Sequence, residues 1–448
     1  MKKKISAVKV PHHKNTAGIQ SVAVAPPKEV LIPTNMHSGG AAVPVVEVGQ
    51  HVFMGQLIAR EEGKNSSPVH ATVSGTVKAI EPYALSGRPA QAIRIESDGK
   101  MEPCPDLSIP EPTNLDEFLA CVRESGVVGL GGAAFPVWAK LAAAQKSHIS
   151  TVLINGAECE PFITSDHRVM LEHGDLIEKG IELLKRFLGS EEYIIGIEKN
   201  KPDAIAQLTE RFKNDPAVKV MPLDSVYPQG AKQVLLYNAT GKVVGPGQRL
   251  ASLGVIIINV TSLVKVAEFF TTGMPLVERI VTVEGSAVKE PKNLIVPIGC
   301  SIRDLVAACG GLKDENDVGK IIYGGAMMGK TVDTLDASVL KATNAVVIMN
   351  RKDAEKTKPS PCIHCGRCVG VCPLGLNPTA FARAMELEDE AARAAILQKE
   401  QVSLCMECGC CSYVCPAHRP LAENNSAARR FIRSWETAQK EKAKEGGK

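Results

Sequence analysis

Short runs of alternating apolar and polar residues fill the first hundred positions of the chain. Three of these runs are 29–33, 43–48 and 70–80, and Gly, Pro and Asn residues separate them. Alternation with a period of two between turn-forming residues is typical of short strands that bury one face. The pattern predicts a small all-β module over residues 1–102.

The motif order in this module is similar to the barrel-sandwich fold of biotinyl and lipoyl carriers. The similarity is carried by the segments 48–56 and 71–77. A carrier would need an exposed lysine on the hairpin between its two halves. Residues 59–68 contain only Lys64, set in Gly63-Lys64-Asn65, and lack that hairpin. We therefore interpret the module as structural or docking, and not as a carrier.

From 113 to 275 the pattern changes to helical segments alternating with short apolar runs. The predicted helices are 114–126, 136–144, 175–188, 202–214 and 231–239. The predicted strands are 151–154, 193–197, 218–222 and 255–260. Alternation at this spacing predicts an α/β domain with a largely parallel sheet.

The remaining chain divides into a mixed segment and a cysteine-rich segment. Residues 276–350 place two strands around one helix at 301–309, which is about the content of a β-grasp unit. Residues 358–425 contain the cysteines and one predicted helix over 379–401, and 426–448 form a polar helix and tail. The fold class expected is therefore multidomain α/β and α+β, with a barrel-sandwich-like module, an α/β domain, a β-grasp domain and a helical two-cluster domain.

Eight of the fourteen cysteines form two copies of one pattern, Cys-x2-Cys-x2-Cys-x3-Cys-Pro, offset by 43 positions. Each triplet places three thiolates around one iron–sulfur cluster, and in two-cluster ferredoxins the fourth cysteine binds the other cluster. The expected ligands are crossed: one [4Fe-4S] cluster takes Cys362, Cys365, Cys368 and Cys415, and the second takes Cys405, Cys408, Cys411 and Cys372.

Structural zinc is the alternative, since Cys-x2-Cys pairs also suit tetrahedral zinc. Zinc leaves the third cysteine of each triplet unexplained, so the repeat favours clusters. Cys410 breaks the symmetry beside Cys411, and we interpret it as a packed thiol and not a ligand. The other cysteines outside the repeats show no ligand spacing: Cys104, Cys121, Cys159, Cys300 and Cys309.

The charge and apolar content of the sequence bear on nucleic-acid binding, membrane insertion and cellular compartment. The chain has 448 residues, 52 basic and 49 acidic side chains and a net charge of +3, which gives no argument for nucleic-acid binding. The basic start of the chain is followed by no apolar stretch, so we expect neither a secretory signal nor a spanning helix there. The longest uncharged run, 250–264, is too short for a bilayer span. Many unpaired thiols favour the reducing cytosol.

A glycine loop precedes the predicted helix at 136–144. Residues 129–134 match Gly-x-Gly-x-x-Ala, but no full strand leads into them, so this dinucleotide-binding pattern is weak. Backbone N–H groups at the start of a helix still attract phosphate, and Lys140 could add a cation. A tight turn that needs glycine torsions is the alternative. Clusters pass single electrons and nicotinamides exchange a hydride, so a flavin is the usual cofactor that joins them.

Three motifs carry a family resemblance: Gly129–Pro136 with Lys140, Asn155–Pro161, and Asn259–Thr261. They resemble the FMN and NADH motifs of the flavin-bearing, NADH-oxidising subunit of respiratory complex I. Their order with the β module, the β-grasp segment and two clusters is more similar to the C subunit of Rnf ion-translocating ferredoxin:NAD oxidoreductase complexes, over nearly the whole chain. Ala134 departs from the family, which more often has glycine at that position.

The resemblance implies the residues of a cofactor site. It places FMN at the loop with Gly129, Gly131, Gly132, Lys140, Asn155 and Asn259, and the nicotinamide side of NAD(H) at Phe135, Glu158 and Glu160. A solvated or capping carboxylate is the alternative for each glutamate. Two further segments resemble the family, Tyr227–Gly230 with Lys232 and Gln233, and His12-His13-Lys14, but the residues themselves give them no derivable role.

The resemblance also implies a function. The chain is expected to be a peripheral, NAD(H)-interacting electron-transfer subunit on the cytoplasmic face of a membrane. Integral membrane and iron–sulfur subunits would be its partners, ferredoxin would connect indirectly, and no side chain needs to act as a catalytic acid or nucleophile. Two alternatives stay open: a soluble flavin and iron–sulfur cobalamin reductase, which would lack the N-terminal β module, and a non-catalytic iron–sulfur scaffold.

Overall fold

The computed structural model describes residues 5–85 and 88–445. The strands are β1 Val22–Ala23, β2 Glu29–Pro33, β3 Val43–Pro44, β4 His51–Val52, β5 Leu57–Arg60, β6 Val69–His70, β7 Gly75–Leu85, β8 Arg88–Ser97, β9 Thr151–Gly156, β10 Glu192–Glu198, β11 Val218–Leu223, β12 Val255–Asn259, β13 Glu278–Glu284, β14 Lys292–Pro297, β15 Val318–Tyr323, β16 Lys330–Val332 and β17 Ala345–Asn350. The helices are α1 Leu115–Glu124, α2 Val137–Leu141, α3 Ser165–Glu172, α4 Gly174–Leu188, α5 Pro202–Arg211, α6 Lys232–Thr240, α7 Val260–Thr272, α8 Ile302–Ala308, α9 Arg351–Ala354, α10 Arg367–Gly370, α11 Pro378–Met385, α12 Glu390–Lys399, α13 Cys410–Tyr413 and α14 Leu421–Glu445.

The described chain forms two compact units. The larger unit contains residues 12–224 and 247–354, and the smaller contains residues 5–11, 225–246 and 355–445. Among the described residues, no helix is both long enough and apolar enough to cross a membrane.

Two antiparallel sheets form the N-terminal β module, in the strand orders β2-β8-β7-β4 and β3-β5-β6. Alternate residues of these strands point into a shared core, as the period-two pattern predicts. Val30, Ile32, Ile58 and Ile95 are almost fully buried there.

A parallel four-stranded sheet, in the order β11-β10-β9-β12, forms the centre of the α/β domain. Its strands are almost entirely apolar because both faces are covered, which agrees with the predicted parallel sheet. The predicted helices at 114–126, 175–188 and 202–214 correspond to α1, α4 and α5. The carboxyl ends of β9 and β12 are Gly156 and Asn259, and the candidate cofactor residues lie there.

The β-grasp segment forms a mixed sheet in the order β1-β14-β13-β17-β15-β16. Strand β1 comes from the N-terminal segment and pairs in parallel with β14, where Val22 is the register partner of Leu294, 272 positions later. Helix α8 begins with a capping box in which Ser301 and Asp304 satisfy each other's backbone N–H groups.

The smaller unit is helical. Leu376, Phe381, Leu397, Val402 and Ile432 form its core. The single helix predicted over 379–401 is wrong, because the chain folds there into α11 and α12. The side chain of Asp389 accepts hydrogen bonds from the N–H groups of Ala391 and Ala392, so it begins a new helix that folds back on the first.

Helix α14 crosses the expected boundary between 358–425 and 426–448. Its residues Asn425, Ala428 and Ile432 are buried, which anchors the helix on the cysteine-rich segment. The polar character expected of this helix holds only for its exposed faces.

Candidate functional site

The glycine loop is a closed turn. Val128 and Pro136 form an antiparallel bridge at its base. The N–H of Gly129 donates to the carbonyl of Phe135 at 2.8 Å, and the N–H of Ala134 donates to the carbonyl of Gly129 at 3.0 Å. Ala134 adopts a positive φ of 50° there, which is the strained position at which the sequence departs from the resembled family.

The tip of this loop is exposed and is tied to the start of α7. The N–H of Leu130 donates to Ser262 Oγ at 2.8 Å, and Ser262 Oγ donates to the carbonyl of Val128 at 3.1 Å. A Cβ atom on Gly131 would lie 3.1 Å from Asn259 Nδ2. A side chain at this position would require the loop or the asparagine to shift by a few tenths of an ångström.

Two asparagines end adjacent parallel strands. Asn155 of β9 and Asn259 of β12 are register partners. Asn259 Oδ1 accepts from the N–H of Ser262 at 3.1 Å and so caps α7. Polar side chains at the carboxyl ends of neighbouring parallel strands lie where α/β folds bind their ligands. The structure therefore brings Gly131, Asn155 and Asn259 together.

Two buried side chains of opposite charge, Asp166 and Arg279, support this corner. Asp166 Oδ2 accepts from Asn259 Nδ2 at 2.7 Å, and Thr261 donates to the other oxygen. Arg279 is fully buried and donates to the carbonyl of Leu130 at 3.2 Å. Burial lowers the pKa of Arg279 to about 10 and raises the pKa of Asp166, and each charge opposes the shift of the other. The glycine loop at Leu130 and the end of β12 at Asn259 are thus held by connected hydrogen bonds.

The carboxylates of the acidic turn after β9 accept hydrogen bonds from backbone N–H groups. The carboxylate of Glu158 accepts from the N–H groups of Asp166 and His167, so it caps the start of α3. Burial raises the pKa of Glu158, and the nearby Lys14 opposes that shift. In the structure Glu158 therefore caps a helix, which is one of the alternatives that the sequence leaves open for this residue. Glu160 Oε2 accepts from the N–H of Met327 at 3.0 Å, which joins the turn to the β-grasp segment.

A half-buried lysine, Lys14, and a buried one, Lys201, lie beneath the acidic turn. Lys14 Nζ donates to the carbonyls of Glu158, Glu160 and Ile163. Lys201 Nζ donates to the carbonyl of Ala157 at 2.8 Å and to Glu198 at 3.2 Å. The turn therefore takes its shape from cations that satisfy its inward carbonyls. The neighbouring His13 stacks on Phe162 with ring centroids 4.8 Å apart.

Lys140 lies within α2, one turn beyond the glycine loop, and is half-buried. The N-terminal β module supports this region from its other side. The N–H of Ser38 donates to the carbonyl of Ala134 at 2.9 Å, and Trp138 Nε1 donates to the carbonyl of Ser66 at 3.2 Å. This contact gives the β module a structural role beside the candidate flavin loop.

The eight repeated cysteines of the smaller unit line two separate cavities. One is lined by Cys362, Cys365, Cys368 and Cys415. The other is lined by Cys372, Cys405, Cys408 and Cys411, and also by Cys410, which lies outside the repeat pattern. Each cavity thus contains three cysteines of one repeat and the fourth cysteine of the other repeat. This is the grouping that the crossed ligation predicts.

The described residues contain no group of three or more His, Cys, Asp or Glu side chains that could hold a single metal ion. A [4Fe-4S] cluster takes one thiolate on each of four irons, so its ligands are spaced more widely. The cavities suit that donor set.

The cavities differ in their surroundings. Cys365 is exposed, and the neighbouring Ile363 is 65% exposed. The cavity of Cys405, Cys408 and Cys411 is lined in part by Ala422 and Asn425 of α14, and Tyr227 contacts the loop that carries Cys408. Tyr227 Oη donates to the carbonyl of Cys408 at 2.7 Å, and Cys410 Sγ lies 3.9 Å from the carbonyl of Tyr227. Cys410 is buried and also lines this cavity, so its interpretation as a packed thiol stays a prediction.

Sequence reasoning misses several supporting residues. Ser262, Asp166 and Arg279 lie far apart along the chain and carry no motif. The N-cap pattern Asn259-x-x-Ser262 is the one local signal that could have identified α7. Tyr227 has no derivable role in the sequence, and the structure gives it one at the cluster loop.

Comparison with protein-family models gives four matches in chain order. Residues 4–100 match the RnfC barrel sandwich hybrid domain, and residues 122–268 match the Nuo51 FMN-binding domain. Residues 280–331 match the SLBB domain, and residues 356–434 match a 4Fe-4S dicluster domain. These matches confirm the expected fold class, including the barrel-sandwich module, and they place an FMN-binding domain and a dicluster domain in the chain.

Several curated proteins are similar over most of their length. One is the C subunit of the proton-translocating ferredoxin:NAD(+) oxidoreductase complex of Clostridium ljungdahlii, 38% identical, with 81% of this chain and 79% of that protein aligned. Another is the C subunit of the Na(+)-translocating complex of Acetobacterium woodii, 39% identical, with 80% and 81% aligned. A third is the C subunit of an ion-translocating oxidoreductase complex of Rhodobacter capsulatus, 36% identical, with 85% and 75% aligned.

A solved structure shares the fold. The crystal structure of an NAD+-reducing [NiFe]-hydrogenase in the H2-reduced state matches with a TM-score of 0.51 at 16% identity, covering 71% of this chain and 63% of that chain. At this identity the similarity concerns the fold alone.

Proposed function

Because this chain belongs to the C-subunit family of ion-translocating ferredoxin:NAD(+) oxidoreductase complexes, we propose that it exchanges electrons between NAD(H), FMN and two [4Fe-4S] clusters as one component of such a complex. The observation that carries the proposal is the combination, in one chain, of an FMN-binding domain with eight cysteines grouped four by four around two cavities.

The glycine loop fits a flavin phosphate or ribityl chain. Gly131 leaves open the space next to Asn259 that a Cβ would occupy, and the loop tip at Gly131 and Gly132 is exposed. We propose that Gly129, Gly131, Gly132, Asn155, Asn259 and Lys140 hold FMN. Bound FMN supplies the conversion between a two-electron hydride and single electrons. The protein's contribution is to position it through the Ser262 and Asp166 network.

We assign the nicotinamide side to Phe135, Glu158 and Glu160. Phe135 ends the glycine loop, and Glu160 lies on the turn that follows β9. Glu158 contributes by holding that turn in shape, since its carboxylate is engaged with α3. The relatives from Clostridium ljungdahlii and Acetobacterium woodii belong to complexes that act on NAD(+), and this arrangement suits NAD(H).

We propose the crossed ligand sets for the two clusters: Cys362, Cys365, Cys368 and Cys415 for one, and Cys405, Cys408, Cys411 and Cys372 for the other. The clusters pass single electrons. Partner subunits on the cytoplasmic face of a membrane would exchange these electrons with the chain. The match of residues 4–100 to the family's own N-terminal domain favours this function over a cobalamin reductase or a passive scaffold.

Anaerobically purified protein tests the proposal. We expect bound flavin, iron and labile sulfide for two clusters, and NADH-dependent reduction of a dye acceptor. Lys140→Ala should lower flavin occupancy and dye reduction, whereas Lys146→Ala, an exposed lysine just beyond α2, should change neither. Protein without iron would refute the cluster assignment, and iron without NADH-dependent dye reduction would refute the NAD(H) assignment. Unchanged flavin occupancy in Lys140→Ala would refute the placement of Lys140.

A further inference from the structure

One buried asparagine distinguishes the two cysteine cavities. Asn425 of α14 is 2% exposed and lines the cavity of Cys405, Cys408, Cys411 and Cys372. Its Nδ2 atom lies 3.6 Å from Cys411 Sγ and 3.7 Å from Cys405 Sγ. One amide thus reaches two of the four expected ligands of a single cluster.

The orientation of this amide is set by charge. Reversing it would place Oδ1 against two sulfurs that carry negative charge when they bind iron, which is repulsive. With Nδ2 toward the sulfurs, Oδ1 is buried and has no hydrogen-bond partner among the described residues. A buried acceptor without a partner costs free energy, so the contacts of Nδ2 with sulfur must offset that cost.

The other cavity has no such donor at the matching position. The offset of 43 positions that relates Cys362 to Cys405 also relates Ala382 to Asn425. Ala382 is buried beside Cys368 and Leu421, so a methyl group occupies the position where the second repeat has an amide. The two repeats therefore have the same cysteine positions but differ at this position, which is Ala382 in the first and Asn425 in the second.

Backbone donors reach both cavities, and one of them, the N–H of Leu376 at 3.3 Å from Cys372 Sγ, adds to Asn425 in the same cavity with no counterpart at Cys415 among the described residues. The N–H of His364 lies 3.4 Å from Cys362 Sγ, and the N–H of Glu407 lies 3.4 Å from Cys405 Sγ at the equivalent position. Hydrogen bonds to the sulfurs and solvent exposure both set the reduction potential of a cluster. A donor stabilises the more negative, reduced state, and burial disfavours it.

We infer that Asn425 is a positioning residue that raises the reduction potential of the cluster bound by Cys405, Cys408, Cys411 and Cys372, and of that cluster alone. This inference rests on the proposed function, since it requires both clusters. In the buried cavity the amide offsets part of the penalty of burial. In the other cavity Cys365 is exposed, and Ala382 stands at the position that matches Asn425.

Redox titration of the complete chain, followed by electron paramagnetic resonance, tests the inference. Asn425→Leu keeps the side-chain volume and removes the donor. Asn425→Ala reproduces the residue of the first repeat. Both variants should shift one of the two reduction steps to a more negative potential and leave the other in place. Asn424→Leu, on the same helix and outside the cavity lining, is the matched control and should shift neither.

The outcomes separate the tuning role from the proposed function. If the wild-type protein lacks iron for two clusters, the proposed function fails. If the clusters are present and neither step moves in the Asn425 variants, or both steps move equally, the inference about Asn425 fails. If both Asn425 variants lose a cluster while Asn424→Leu retains two, Asn425 is needed for assembly and the tuning role is overturned.

Discussion

The ammonium group of Lys14 donates a hydrogen bond of 2.9 Å to the carbonyl oxygen of Glu158, across 144 positions of sequence. The same group also reaches the carbonyls of Glu160 and Ile163. A segment near the start of the chain thus fixes the acidic turn of the candidate cofactor site.

Replacing Lys14 should loosen that turn. Lys14→Met keeps much of the length of the side chain and leaves three inward carbonyls without their donor, at a cost of about 1–3 kcal/mol for each carbonyl that stays buried. We expect a lower melting temperature and weaker NADH-dependent dye reduction. Lys28→Met, at an exposed lysine, is the control and should change neither. An unchanged melting temperature would mean that the turn does not depend on Lys14.

Adding one methyl group to the glycine loop should weaken flavin binding. In Gly131→Ala the new Cβ would meet Asn259 Nδ2 at 3.1 Å, so the loop or the asparagine must shift. We expect flavin affinity to fall by about tenfold, which corresponds to about 1.4 kcal/mol. Fluorescence titration of the apoprotein with FMN measures this change. Gly18→Ala, where a Cβ meets nothing within 4 Å, should bind flavin as the wild type does; equal affinity in both variants would count against the loop as the flavin site.

Removal of one hydroxyl group should shorten the lifetime of one cluster. Tyr227→Phe deletes the donor to the carbonyl of Cys408, at a cost of about 1–3 kcal/mol. We expect faster bleaching of the iron–sulfur absorbance under an iron chelator, in one of two kinetic phases. Tyr413→Phe is the matched control, because Tyr413 is 48% exposed. Identical bleaching in both variants would show that the hydrogen bond does not protect the cluster.

A buried lysine should give the larger unit a pH-dependent stability. Lys341 Nζ donates to the carbonyls of Pro68 and Gly126 at 2.6 and 2.7 Å, and burial lowers its pKa to about 7. The unfolded chain keeps this proton up to about pH 10.4, so above pH 7 the unfolded state binds more protons and stability rises with pH. The slope is at most about 1.4 kcal/mol per pH unit.

To test this prediction, the melting temperatures of the wild type and of Lys341→Met are measured at pH 7 and at pH 8. Burial lowers the pKa of Lys14 to about 8 and raises the pKa of the neighbouring Glu158 to about 7, so both groups also titrate within this window, with opposite effects on the slope. His70, which faces Lys341, has a pKa lowered by burial to about 3 and stays neutral there. Lys341→Met should be less stable overall and should lose most of the rise between these two pH values. A rise that persists in the variant would assign the pH dependence to another group.

Local patterns in the sequence predict the strands and helices that bury one face and expose the other. The alternating strands of the β module and the amphipathic α1 and α4 are examples, because period and burial agree there. Helices α3 and α7 are not predicted. Helix α7 is buried on nearly all faces, so its apolar residues show no period. Helix α3 buries Asp166, His167 and Arg168, which a pattern of polar residues would place in solvent.

The candidate site also contains some residues that the sequence identifies and others that it does not. Its motif residues Gly131, Asn155 and Asn259 can be identified from sequence, because each motif is local. The groups that hold them cannot be, because Ser262, Asp166 and Arg279 become neighbours only through folding. The cysteines are the opposite case, since repeat spacing alone predicts which four should meet, and the two cavities have that composition.

The exchange of the fourth cysteines has a consequence for the connectivity of the helical unit. Under the proposed crossed ligation, each cluster would link the two repeats, and α11 and α12 lie on the chain enclosed between those links. A protease that cut the turn at residues 386–389 would then sever one peptide bond without releasing either fragment. The two pieces would separate only after the iron was removed, so the metal would serve this unit as disulfides serve a small secreted domain.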